Sequence, residues 1–144
     1  MSGDQDLAER CAARMLGGDR ASAALGMTLE SVGPGCAVVA MVVRDDMTNG
    51  HRLGHGGLIA SLADTAFAVA CNSYGEVTVA AGFDVTFLEP AHLGDRLQAR
   101  AVERARRGRS GLYDVTVVRI GDGVVIAEFR GRSRGLGRPV IPAG

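Results

Sequence analysis

The sequence predicts an α+β chain in which a long antiparallel sheet wraps around one buried central helix. Residues 56–74 (GGLIASLADTAFAVACNSY) are apolar or small almost all round, the pattern of a helix buried on every side. Four strand-like segments follow, and the clearest alternates through Val77, Val79, Ala81, Phe83, Val85 and Phe87. Turn residues break these segments at Glu89-Pro90, Arg107-Gly108 and Gly121-Asp122-Gly123. Strands joined by short turns pair antiparallel, and a sheet with one apolar face must cover something apolar.

Taken in order, residues 4–16 place Leu7, Cys11, Ala12, Met15 and Leu16 near one helical face, with Glu9, Arg10 and Arg14 elsewhere. Gly17 and Gly18 end this amphipathic helix. From Leu25 to Arg44 the chain turns to Val, Thr, Met and Ala around Gly33-Pro34-Gly35, which predicts two paired strands. The central helix then runs over 56–74 and Gly75 follows it. Strands are expected over 77–88, 95–106, 111–120 and 123–134, and the tail from Gly135 to Gly144, with Pro139 and Pro142, is expected to fray. The order is helix, two strands, buried helix, four strands. No repeat or low-complexity segment interrupts it, so residues 1–144 are expected to form one domain.

Composition narrows the function classes. With 47% hydrophobic and 22% charged residues, 144 residues suit a globule with a real core. The chain does not open with a basic patch and an apolar run, and no stretch approaches the roughly 20 apolar residues of a membrane span. The expected location is the cytoplasm. Sixteen positive and sixteen negative residues cancel, leaving no global field to attract nucleic acid or an anionic membrane. Every one of those positive residues is arginine, so lysine Schiff-base chemistry is excluded. Cys11, Cys36 and Cys71 are odd in number and widely spaced, which fits reduced thiols rather than disulfides or a metal site.

Asp64 is the one charged side chain in the apolar run. Burial disfavours its charged form and no cation lies nearby in sequence; the alternatives are a functional carboxylate or one on an exposed stripe. His55-Gly56-Gly57 sits where the helix begins, with unpaired amides and the positive end of the helix dipole. There Gly56 and Gly57 either let a carbonyl approach the backbone or form a plain glycine turn. Eight residues separate Gly56 from Asp64, about two helical turns or roughly 12 Å, so one chain cannot bring both to a single carbon. Asn49-Gly50 reads first as a tight turn, and His55 as a cap or loop-orienting residue as readily as an acid or base. Thr65 offers a hydroxyl close enough in sequence to hold a water beside Asp64. His51 and His92 read as surface residues. Serine elbows, glycine-rich phosphate loops and metal-ligand spacings are absent. Arg104, Arg106, Arg107 and Arg109 crowd one hairpin turn and Arg130, Arg132 and Arg134 alternate on the last strand. The preferred reading is solvated turn and edge-strand charge, the sharper one phosphate binding.

The segment NGHRLGHGGLIASLADTAFAVACNSYG, with FLEPAHLGDRL, GRSGLYDVTV and VVIAEFRGRSR after it, resembles the phenylacetate-degradation acyl-CoA thioesterases of the hotdog superfamily. The resemblance runs from about Ala12 to Gly137, and the spacing of Asn, His-Gly-Gly and Asp is its specific part. It implies a hotdog fold, acyl-CoA as substrate, no separate cofactor and no metal. It further implies Asp64 as the catalytic carboxylate, either nucleophile or base for water, and the Gly56 amide as the group polarising the thioester carbonyl. Asn49 falls on the position near the carbonyl or the water, and His55 on the supporting histidine. Family members are homodimers in which Asp64 of one chain would face Gly56 of the other, and dimers pair into tetramers. Hydroxybenzoyl-specific relatives carry Glu where this chain has Asp64 and Thr where it has Ala68. That leaves phenylacetyl, other aromatic or medium-chain acyl groups. The rivals are a hydratase or dehydratase on the same fold, which needs a different His and acid pattern, and a non-catalytic acyl-CoA-binding protein, which Asp64 and Asn49 speak against.

Overall fold

The computed structural model describes residues 2–143. Helix α1 (Ser2–Gly17) is followed by a short α2 (Arg20–Ala24), strands β1 (Thr28–Gly33) and β2 (Cys36–Val42), a 3₁₀ turn at Asp45–Met47, and helix α3 (Gly56–Cys71). Strands β3 (Glu76–Phe87), β4 (Arg96–Arg107), β5 (Ser110–Arg119) and β6 (Val125–Pro139) complete the chain. All six strands join one antiparallel sheet in the order β1-β2-β4-β5-β6-β3. Two elements escaped the sequence reading: α2, with Asp19 as its N-cap, and the 3₁₀ turn.

α3 lies across the concave face of the sheet, and Leu62, Ala63, Ala66, Phe67, Val69 and Ala70 are buried against it. Alanines let the helix approach closely, and one large residue fills the remaining depth. Phe67 takes that role, packed at 5.6 Å from the Tyr113 ring and 5.8 Å from Phe129. Gly131 pairs with Tyr113 on one side and Phe83 on the other. A Cβ there would come within 2.8 Å of Phe67, so the missing side chain is what seats the helix. Truncating a buried aromatic of this kind costs about 3–5 kcal/mol.

Two boundaries and one strand position differ from the sequence reading. The helix stops at Cys71 rather than at residue 74, because Asn72 turns its side chain onto β3: Nδ2 donates to Thr78 O and Oδ1 accepts from Thr78 N. The expected frayed tail is strand as far as Pro139, held by Gly137 N donating to Glu76 Oε2 and Val140 N to Gly75 O. β6 is also no edge: it lies between β5 and β3, and Arg130 and Arg132 pair across its outer face with Asp114 and Asp84. The free edges are β1 and β3. Although β3 has the clearest alternation, it is the least buried strand, and Val79, Phe83, Phe87 and the adjoining Leu88 stay 41–55% exposed. Among the described residues no helix is long and apolar enough to cross a membrane.

Candidate active site

The start of α3 is pinned from both sides. His55 N donates to Met47 O at 2.8 Å, and Gly54 N to Ala91 O at 2.7 Å, tying the helix entrance to the 3₁₀ turn and to the segment after β3. Asn49 closes the intervening loop: its Oδ1 accepts from His51 N at 2.9 Å and Leu53 N at 3.2 Å. Arg52 there holds a left-handed φ of 63°. The turn role of Asn49 is therefore real. Its side-chain NH₂, by contrast, has no partner among the described residues.

His55 is the N-cap of α3, extended at φ −64° and ψ 128°, with Nδ1 accepting from Gly57 N at 3.2 Å. Its carbonyl accepts from Leu58 N and Ile59 N. The cap thus consumes the Gly57 amide. The Gly56 amide alone in the first turn has no partner among the described residues, and it sits at the positive end of the helix dipole. Gly56 and Asn49 share one cavity of about 330 Å³ with Leu53, Ile59 and the segment Phe87–Ala91. The ring of Phe87 forms its wall against Gly56, 3.0 Å from where a Cβ would stand. A carbonyl oxygen placed against the amide would find a donor and an apolar surround. In the sequence Phe87 reads as strand and Glu89-Pro90 as a turn, without assigning Phe87–Ala91 to the site; the signal that could have done so is the FLEP turn after β3.

Asp64 lies outside that cavity, further along the stripe of α3 that faces away from the sheet. It is half-buried, and its carboxylate has no hydrogen bond or ion pair among the described residues. Burial, and secondarily the negative Asp19, push its carboxyl above the usual carboxylate range. Thr65 is next to Asp64 in sequence, and its Oγ1 lies 3.0 Å from Ser22 Oγ on α2. The chain alone thus brings Asn49, His55, Gly56 and Gly57 together and leaves Asp64 with Thr65 about two turns away.

Other candidates recede. Cys71 is buried and its thiol is pushed up to about 12, chiefly by desolvation, so it is no nucleophile. Arg106 stacks 3.5 Å over the Tyr74 ring, Arg109 pairs with Glu76, and Arg104 and Arg130 share Asp114. His51 and His92 are exposed. Among the described residues no group of three or more His, Cys, Asp or Glu is placed to hold a metal ion.

Residues 53–126, from the helix entrance to β6, match the thioesterase superfamily. The chain is 44% identical over 119 residues to the acyl-coenzyme A thioesterase PaaI of Escherichia coli, covering 83% of this chain and 84% of that one. A solved structure of the E. coli PaaI protein from the phenylacetic acid degradation operon superposes with a TM-score of 0.91 at 41% identity, over 94% of this chain and 97% of that one. A mutant of the phenylacetic acid degradation protein PaaI from Thermus thermophilus gives a TM-score of 0.78 at 39% identity, over 82% of this chain and 100% of that one. A six-stranded antiparallel sheet around one central helix, with the superfamily's sequence running through that helix, is the hotdog fold, and the chain belongs to the thioesterase superfamily.

Proposed function

We propose that this acyl-CoA thioesterase hydrolyses phenylacetyl-CoA or a related aromatic or medium-chain acyl-CoA, at a site shared by two subunits. The observation that carries the reading is the Gly56 amide, without a partner among the described residues, opening on a largely apolar cavity, with the Asp64 carboxylate, likewise without one among them, about two turns away. The acyl group enters the cavity beside Phe87, and its carbonyl accepts from the Gly56 amide. The Asn49 NH₂ supplies a second donor. His55 holds the helix start in place through its cap.

Asp64 of the partner subunit then takes a proton from water, whose oxygen attacks the thioester carbon. Negative charge grows on the carbonyl oxygen and is stabilised by the amide and the helix end. Collapse breaks the C–S bond, and the thiolate leaves with the proton from Asp64. Direct attack by Asp64 would pass through an anhydride instead. The water route is preferred because Asp64 sits beside a polar group, Thr65, that can hold a water.

Support for the dimer comes from β3. Val79, Phe83, Phe87 and Leu88 leave exposed apolar surface on and just after an edge strand that packs against α3, whose outward stripe is half-buried, an arrangement that a second copy would cover. Two tests decide the reading. Hydrolysis rates across phenylacetyl-, hydroxybenzoyl- and medium-chain acyl-CoA should favour the first or last, and preference for hydroxybenzoyl-CoA would overturn the substrate assignment. Mixing Asp64→Ala chains with Gly56→Pro chains, both inactive, should restore part of the activity once mass spectrometry shows mixed dimers. Mixed dimers that stay dead would rule out the shared site.

A further inference from the structure

α2 is five residues long and buries one side chain, Ser22. Asp19 caps it twice over: Oδ1 accepts from Ser22 N at 2.9 Å, and Oδ2 from Ser22 Oγ at 2.6 Å. Ser22 Oγ in turn lies 3.0 Å from Thr65 Oγ1, across 43 residues of sequence. A serine hydroxyl has one proton and two lone pairs, and an ionised carboxylate only accepts. Ser22 gives its proton to Asp19, so it meets Thr65 as an acceptor. The proton of Thr65 is then committed to Ser22, and the free side of Thr65 Oγ1 carries lone pairs alone. The charge at one end of this chain sets the direction of every bond in it.

A water activated by Asp64 has two hydrogens. One passes to the carboxylate; the other needs an acceptor or is left unpaired against apolar surroundings. Thr65 is the residue next to Asp64, half-buried like it, and its hydroxyl is polarised to accept. We propose that Asp19 and Ser22 are positioning residues that hold the Thr65 hydroxyl as an acceptor for the second hydrogen of the attacking water. This role rests on Asp64 acting as a base toward water. One O–H bond of the water breaks as its proton moves to Asp64, and the new C–O bond forms. Thr65 accepts a hydrogen bond throughout and exchanges no proton.

Asp19 also acts on Asp64 through its charge, adding to the upward push of burial. Asp64 in turn acts on the Cys71 thiol, further along α3, adding to the upward push of burial there. Ser22→Ala and Asp19→Asn therefore have different signatures. In Ser22→Ala the charge stays and the relay is cut: kcat should fall about tenfold with KM unchanged, and the acid limb of the kcat/KM profile should stay in place. In Asp19→Asn the side-chain NH₂ donates to Ser22, which reverses the chain. Here kcat should fall about as far, and the acid limb should move to lower pH.

Ser22→Ala added to Thr65→Val should cost nothing further, because Ser22 acts only through the Thr65 oxygen that the valine removes. Thr65→Ser, which keeps the hydroxyl, should retain turnover. Unchanged kcat in folded Ser22→Ala overturns the role, as does a Ser22→Ala loss that persists in full on the Thr65→Val background. Should Ser22→Ala fail to fold, unchanged kcat in Asp19→Asn overturns it, whatever the acid limb does. Asp64→Asn measured alongside separates two failures. If that variant keeps turnover, the base assignment falls too; if it is dead while Ser22→Ala is normal, only the positioning role falls.

Discussion

At its C-terminal end α3 hands over to Asn72, Ser73 and Tyr74, and each polar side chain there is engaged. Asn72 braces Thr78 through both ends of its amide, Ser73 Oγ donates to Ala70 O and accepts from Gly35 N, and Tyr74 donates to Glu103 at 2.8 Å. Tyr113 donates to the same carboxylate oxygen, and its hydroxyl is pushed far up, by burial first and by Glu103 second. The N-terminal end is built from similar residue types and ends differently. Its cap and loop are satisfied, yet the Gly56 amide, the Asn49 NH₂ and, further along, the Asp64 carboxylate remain without partners among the described residues. Saturated polar groups hold structure. Groups kept unsaturated by a rigid frame are available to a ligand.

The largest expected effect is at the unsaturated end. Asp64→Asn should fold and lose turnover by about a hundredfold or more. Because burial and Asp19 raise the Asp64 carboxyl, the acid limb of wild-type kcat/KM should lie above the ordinary carboxylate value of about 4, rate falling as Asp64 is protonated. The sign for stability is opposite to that of a paired carboxylate. A raised folded-state pKa gives a contribution fully present below the unfolded value and lost as pH rises through the folded one. Asp64→Asn should accordingly melt no lower than wild type at neutral pH. A mutant that is inactive because it unfolds would sink the comparison.

Next comes the amide. Proline is tolerated at the first helical position, and the extended His55 is compatible with a following proline. Gly56→Pro thus removes the N–H with little harm to the helix, and turnover should drop by about a hundredfold. Gly56→Ala keeps the N–H but presses on Phe87, so it should act mainly on KM. Equal kcat losses in the two variants would show that space, rather than the donor, matters.

Asn49→Asp keeps the acceptor that closes the loop and deletes the NH₂ that has no partner among the described residues. It should fold normally and lose about tenfold in kcat, and wild-type turnover would return Asn49 to the loop alone. The smallest effect on turnover is expected at the saturated end. Asn72→Ala should leave kcat unchanged while lowering unfolding free energy by about 1–3 kcal/mol, read from chemical denaturation, because Thr78 loses both partners. A turnover loss comparable to that of Asn49→Asp would erase the contrast between the ends.

Much of this was legible in the sequence. The all-round apolar run announced the central helix, turn residues marked the hairpins, and one charge among apolar neighbours marked Asp64. These are local signals, set by periodicity and by the conformational limits of Gly and Pro. The sheet-around-helix architecture followed from them, and the superfamily from the resemblance whose specific part is the spacing of Asn49, His55-Gly56-Gly57 and Asp64.

Tertiary structure decided the rest. Alternation in Val77–Phe87 shows a strand with two unlike faces but says nothing of its neighbours. Only the strand order makes β3 an edge with exposed phenylalanines and puts the arginine-rich β6 inside the sheet. The five residues of α2 are too short to show a period, and their one legible mark was an Asp three positions before Ser22. That Asn49 spends its oxygen on the loop, and that Thr65 meets Ser22 across 43 residues of sequence, depends on hydrogen bonds whose geometry is set once the sheet has closed around the helix. Hydrogen bonding is directional and short-ranged, so a side chain's partner is chosen by where the backbone brings it.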